Sequence, residues 1–189
     1  MSSFEEEINK DISLLENVLM RLAVVEDNKL ESQLNSLLTP VLAKLSTPHE
    51  PVRKKVLEVL SHINKRVKPN QNIRLPLQDL VEIYTDATTT PFMTNFIILY
   101  LELAFNRAPI KDKAAVSPLL LKDLNIRNAN QQLVLMALFL SVLEKMDIAI
   151  EETDRQKQFA PFASNPQVIS MLMDFFLDVV LTVPYGYNK

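Results

Sequence analysis

Two histidines, His49 and His62, are the residues that a hydrolytic triad or a metal site in this sequence would have to use. They are thirteen positions apart, which is not the spacing of a helical or turn-borne metal pair, and no cysteine is present to complete a zinc site. His49 falls in a proline-flanked turn, and His62 falls on the polar face of a predicted helix. Neither accompanies a Gly-x-Ser-x-Gly nucleophile motif. We therefore expect no catalytic residue and no metal site.

Clustered carboxylates are the second possible source of chemistry. They occur at Glu5–Glu7 and again from Glu151 to Asp154, but neither group has the spacing of oxygen ligands that a calcium-binding loop requires. We interpret both as solubilising charge. The chain has a single glycine, so neither a phosphate-binding loop nor a dinucleotide fingerprint can be formed, and we expect no cofactor.

A basic cluster between residues 53 and 68 is the surface feature that could bind something. It contains six cations against one acid, Glu58, in a chain of net charge −3. The cations are Arg53, Lys54, Lys55, Lys65, Arg66 and Lys68. One interpretation is a solvated helix face. The other is a patch formed by Lys54, Lys55, Lys65, Arg66 and Lys68 that docks on an acidic protein surface. We expect no nucleic-acid partner, because the chain is acidic and no aromatic residues interleave with the cluster.

The composition indicates an all-α fold. The 189 residues are 48% hydrophobic and contain one glycine, which argues against β-sandwiches and Rossmann domains. The longest apolar run, residues 168–183, is interrupted by Asp174 and Asp178 and is shorter than the roughly 20 residues of a membrane-spanning helix. The start of the chain is acidic, unlike a secretory signal. We therefore expect no integral membrane segment.

Apolar residues recur at intervals of three and four along most of the chain, which predicts about eight helices. The predicted helices cover residues 4–25, 30–45, 52–67, 75–85, 92–106, 111–124, 128–146 and 166–183. Residues 147–164 are predicted to form an irregular loop, because they are acidic and contain Pro161. Asn165 is predicted to cap the last helix, with Pro166 in its first turn.

The helices pair, and the pairs repeat. Apolar second helices begin near Val52, Phe92 and Asn130, about 40 residues apart. A period of about 40–47 residues with two helices per unit is typical of HEAT or armadillo repeats, whose pairs stack into an α-solenoid with a continuous core. We expect residues 1–189 to form a single segment of such HEAT-like pairs.

Two positions are assigned to repeat stacking. Val52 is predicted to point into its helix pair, while Arg53 reaches an acidic group or a carbonyl in the turn of an adjacent repeat. The last helix is predicted to have an apolar surface too broad for a terminal repeat, since end repeats present a polar face. We therefore expect a neighbour there: further repeats beyond Lys189 or a partner chain.

Several stretches carry a family resemblance: Leu15 to Lys68, Arg74-Leu-Pro76, Thr94-Asn-Phe96 with Tyr100, and Met173 to Val180 followed by Pro184-Tyr-Gly-Tyr187. They resemble the proteasome adaptor and scaffold proteins. The resemblance covers nearly the whole chain, most weakly over residues 106–160. Members of the family are very long HEAT-repeat solenoids, which implies that these are the first few repeats of a longer chain.

The resemblance implies a non-enzymatic scaffold that binds the 26S proteasome, tethers its regulatory particle to its core particle and acts in assembly quality control. It also implies a cytoplasmic and nuclear location, with links to the endoplasmic reticulum or endosomes through peripheral vesicle association. No catalytic or binding motif of the family carries over to particular residues. A different function stays open, that of a self-standing helical trafficking adaptor that binds membranes or sorting peptides.

Overall fold

A computed structural model describes residues 3–182, and this part of the chain is α-helical without any strand. The helices are α1 (Ser3–Val24), α2 (Asp27–Ala43), α3 (Glu50–Val67), α4 (Leu77–Thr85), α5 (Pro91–Arg107), α6 (Ile110–Leu120), α7 (Ala129–Leu143), α8 (Glu152–Ala163) and α9 (Pro166–Thr182). Single 3₁₀ turns follow α2 at Lys44–Ser46 and precede α7 at Leu124–Ile126. The predicted all-α fold is confirmed.

The repeat period is visible in the starts of the second helices. Helices α3, α5, α7 and α9 begin at Glu50, Pro91, Ala129 and Pro166, so successive starts are 41, 38 and 37 residues apart. This agrees with the predicted spacing of about 40 residues and with the period of HEAT-like helix pairs.

Side-chain caps fix where several of these helices begin. The hydroxyl of Thr90 accepts from the backbone N–H of Met93 in the first turn of α5, and Asn128 and Gln131 form a reciprocal capping box on α7. Asn165 accepts from the backbone N–H groups of Gln167 and Val168 at 3.1 and 3.3 Å, which confirms the predicted cap of α9. Polar residues therefore replace glycine as the signals that end one helix and start the next.

The chain divides into two compact units between Ala108 and Pro109. In the first unit, α1 packs along α3, α4 packs on α5, and α2 contacts both pairs. Its core is aliphatic, with two large aromatic side chains, Tyr100 and Phe105, fully buried in it.

In the second unit, α6 packs against α7 and α8, and α9 packs against α8. Phe139 of α7 lies at the centre of its aromatic core. The ring of Phe162 meets it edge-on at 5.9 Å, and the ring of Phe176 stacks on it at 6.5 Å. This unit thus buries apolar side chains from both of its helix pairs.

One predicted element is wrong. Residues 152–163 form α8, although the whole stretch 147–164 was predicted to be an irregular loop. The carboxylates that suggested a loop, Glu152 and Asp154, lie in the first turn, where the helix dipole favours negative charge. Pro161 is tolerated because α8 ends two residues later. With few apolar positions, such a helix gives little periodic signal.

Candidate docking surface on the second helices

The predicted basic cluster lies on α3, and its first members are held within their own helix pair. Val52 is fully buried. The guanidinium of Arg53 donates to the carbonyl of Thr47 at 2.7 Å. That carbonyl belongs to the turn before α3 itself, whereas an acceptor in an adjacent repeat was predicted. Lys54 forms an exposed ion pair with Glu50 at 2.8 Å, and the hydrogen bond from Lys54 holds the pKa of that carboxyl below its usual value.

Two further members of the cluster bind α3 to its neighbours. The ammonium of Lys55 lies 2.9 Å from Glu58 and 3.5 Å from Glu16 of α1, and its hydrogen bond to Glu58 raises the pKa of Lys55. Arg66 donates to the carbonyl of Leu22 at 2.6 Å and to the carboxylate of Asp27. These two cations are therefore engaged in packing contacts of the unit.

Lys65 and Lys68 differ from the rest of the cluster. Both side chains are exposed, and no acceptor among residues 3–182 contacts them. They are three positions apart, so they share one face of the helix end. Of the five residues predicted as a docking patch, these two present charge that the fold does not neutralise.

The two lysines border an apolar groove between α3 and α5, which we call the α3–α5 groove. Its volume is about 420 Å³, and its walls include Leu57 of α3 with Phe96 and Leu99 of α5. Leu57 is 37% exposed, and Leu99 is 44% exposed. α5 covers only part of the outer face of α3, and this leaves Leu57 on the groove wall.

An aromatic pair extends this apolar surface toward the start of α5. Phe92 is 43% exposed, and its ring meets that of Phe96 edge-on at 5.4 Å. The outward face of α5 is mixed, because Asn95, Glu102 and Asn106 are exposed on it as well. Its large exposed apolar side chains, Phe92 and Leu99, lie in the first half of the helix.

α5 runs parallel to α3, as three contacts along its length show. Met93, near its start, accepts from the hydroxyl of Ser46, just before α3. Tyr100 donates from its buried hydroxyl to the carbonyl of Leu60 at 3.2 Å, and burial raises the pKa of this phenol. At the end of α5, Arg107 donates to the carbonyl of Val67, the last residue of α3, at 3.1 Å.

Sequence reasoning missed Arg107. Its guanidinium also donates to the carbonyls of Asn70 and Ile73, at 3.3 and 3.0 Å, in the segment that follows α3. The signal that could have identified it is its position 41 residues after Arg66, which equals the spacing of the two helix starts.

The histidines form no hydrolytic arrangement. His62 is half-buried, and its Nε2 is shielded from solvent without a hydrogen-bond partner among residues 3–182, so the ring is less solvated than its position on a polar face predicted. His49 immediately precedes α3 as its N-cap residue. Within the described range, no group of three or more His, Cys, Asp or Glu residues is placed to hold a metal ion. Over the same residues, the helices are too short or too polar to cross a lipid bilayer.

Pairs of α-helices that recur about every 40 residues, with a partly apolar outer groove, define a HEAT-like helical-repeat protein. The chain belongs to the family described as proteasome component ECM29, N-terminal, whose model matches residues 15–189. It is 38% identical over 189 residues to the human proteasome adapter and scaffold protein ECM29, and 33% identical over 182 residues to the proteasome-associated protein ECM29 homolog of Drosophila melanogaster.

These alignments cover 98% and 96% of this chain. Proteasome component ECM29 of Saccharomyces cerevisiae is 25% identical over 182 residues. The chain spans about a tenth of the length of each of these relatives. No solved structure matches it.

Proposed function

We propose that this chain forms the amino-terminal helical repeats of a non-enzymatic scaffold that associates with the 26S proteasome. Through that association the scaffold helps to hold regulatory and core particles together and supports quality control of their assembly. The observation that carries the proposal is the family match over residues 15–189. The names of the human and fly relatives, which describe a proteasome adapter and a proteasome-associated protein, support it further.

The repeat architecture suits this role because helix pairs present long outer surfaces while their cores stay independent of any ligand. We place the protein in the cytoplasm and the nucleus, with a fraction held peripherally at the endoplasmic reticulum or endosomes. Further repeats of the natural chain pack against the apolar outer face of α9, where Ile169, Met173 and Leu177 are exposed.

Binding to purified particles tests the proposal. Immobilised chain is incubated separately with purified 26S proteasome, regulatory particle and core particle, beside an unrelated helical-repeat protein of similar charge. We expect the chain to retain the 26S proteasome and the control protein to retain none. If the chain retains no particle while a longer family member does, these repeats are not the docking segment.

A second candidate function rests on Lys65 and Lys68, which present free charge beside exposed apolar side chains. Such a surface is also suited to anionic lipid, at about 1 kcal/mol per basic residue. Flotation of the chain with vesicles of neutral lipid and with vesicles containing an anionic lipid tests this function. Equal recovery from both vesicle types would remove it.

A further inference from the structure

We infer that the α3–α5 groove binds an acidic amphipathic helix of a partner protein. The apolar side of that helix lies on Leu57, Phe96 and Leu99, and its carboxylates face Lys65 and Lys68. The inference deepens the proposed function and rests on it, because it states the chemistry of the partner that the scaffold docks.

Large apolar side chains are exposed along one line at the α3–α5 groove. Leu57 and Leu99 form opposite walls of the groove, and Phe92 continues the surface toward the start of α5. Apolar side chains gain roughly 25 cal/mol for each Å² removed from water, so a partner that covers them binds favourably. Ser61 and Asn64 also line the groove on the α3 side, so its apolar contact lies mainly between Leu57 and the α5 wall.

Only one end of the α3–α5 groove, the end with Lys65 and Lys68, is positive. Arg53, Lys54, Lys55 and Arg66 each have an acceptor within the unit, whereas Lys65 and Lys68 have none among the described residues. Glu58 is engaged by Lys55. A partner without carboxylates would shield two cations from water without compensation, and this costs free energy.

The shape favours a helix over an extended strand. Because α3 and α5 run parallel, the α3–α5 groove lies between two helices that satisfy their own backbone hydrogen bonds. A groove of this kind binds an amphipathic helix through apolar side chains at positions i, i+3 or i+4, and i+7 of that helix. A sheet edge, which an added strand would need, is absent from residues 3–182.

Synthetic peptides of about 18 residues, which span five helical turns, test the inference by fluorescence anisotropy. The probe has leucines at i, i+3, i+4 and i+7, with glutamates on the flanks. One comparison peptide has the same composition with scrambled leucines, and another has lysines in place of glutamates. We expect the chain to bind the probe at least about tenfold more tightly than either comparison peptide.

Two variants locate the binding. The double variant Lys65→Glu with Lys68→Glu and the single variant Leu99→Glu should each lower the affinity for the probe about tenfold or more. The matched control is Lys29→Glu with Lys111→Glu, which reverses two exposed lysines outside the groove and should leave the affinity unchanged. Circular dichroism verifies that each variant is folded.

Equal affinity for the probe and the scrambled peptide, or no effect of the groove variants, would overturn the inference. Loss of anionic-vesicle binding without loss of peptide binding would overturn it too, in favour of a lipid site. The same variants are then mixed with purified 26S proteasome. If the chain binds the peptide but retains no proteasome, the result contradicts the proposed function and supports the peptide-binding groove. If the chain retains the proteasome but does not bind the peptide, the result supports the proposed function and contradicts the groove inference.

Discussion

Arg66 and Arg107 occupy the same position, the seventeenth, in two successive second helices, α3 and α5. Each donates to a carbonyl in the last turn of an earlier helix: Arg66 to Leu22 of α1, and Arg107 to Val67 of α3. The last carbonyls of a helix have no partner within the helix, and a cation there interacts favourably with the helix dipole. These two arginines therefore join α3 to α1 and α5 to α3.

Replacing Arg107 with methionine should destabilise the first unit. The substitution Arg107→Met removes donors from three carbonyls, those of Val67, Asn70 and Ile73. Hydrogen bonds from charged groups contribute about 1.5–3 kcal/mol, so we expect a loss of that order in the free energy of unfolding. Urea denaturation measures it.

The conservative change Arg107→Lys should recover only part of this loss, because an ammonium lacks the planar fork that reaches several acceptors at once. An unchanged free energy of unfolding in Arg107→Met would show that the contact does not stabilise the unit.

Tyr100 gives the first unit a stability that depends on pH. Burial raises the pKa of its phenol above the usual value near 10. The unfolded chain therefore releases this proton first, and stability is fully present below about pH 10 and falls as the pH rises further.

The variant Tyr100→Phe lacks this titration but also loses the hydrogen bond to Leu60, which costs about 1 kcal/mol at neutral pH. The gap in unfolding free energy between the two proteins should thus narrow above pH 10. Chemical denaturation from pH 7 to 11 measures it, and a constant gap would contradict the buried phenol.

Asn165 should be the most sensitive polar residue of the turn before α9. Its side-chain oxygen caps α9, and its side-chain nitrogen donates to the side-chain oxygen of Asn125 at 3.0 Å, forty positions earlier. Loss of a cap costs about 0.5–2 kcal/mol, so Asn165→Ala should destabilise the second unit by that amount or more. The adjacent exposed Ser164 is the control, since Ser164→Ala should change stability by less than about 0.5 kcal/mol. Equal effects in thermal denaturation would argue against the cap.

The outer face of α9 should behave differently in short and long chains. Leu177 is exposed in residues 3–182, so Leu177→Asp should be nearly neutral for residues 1–189. If further repeats cover this face, the same change in a longer chain buries a charge and should destabilise it by several kcal/mol. Thermal denaturation of both lengths measures this, and equal effects would show that the face stays uncovered.

The sequence predicted the helices and their period because both depend on local patterns. Apolar spacing predicted α3 with Val52, Val56 and Ile63 inward, and all three are buried. The amide of Asn165, just before Pro166, is a similarly local signal. α8 was missed because a short, mostly polar helix has no such periodicity; its formation depends on Phe162 packing on Phe139.

The functional surface was less accessible from sequence. Lys65 and Arg66 are neighbours in the chain, yet Lys65 has no acceptor within the described residues 3–182, whereas Arg66 binds Leu22 and Asp27. A helix turns by about 100° per residue, so adjacent side chains face different surroundings. The partners of Arg66 lie about forty residues away, and only the fold shows which cations they engage.

Co-sedimentation with purified 26S proteasome tests directly whether the chain associates with the proteasome. The chain and the proteasome are mixed, separated on a density gradient, and cross-linked from Lys65 and Lys68. We expect the chain to move with the proteasome and both lysines to be cross-linked to proteasome subunits. A chain that stays at the top of the gradient while a longer family member moves with the proteasome would contradict it.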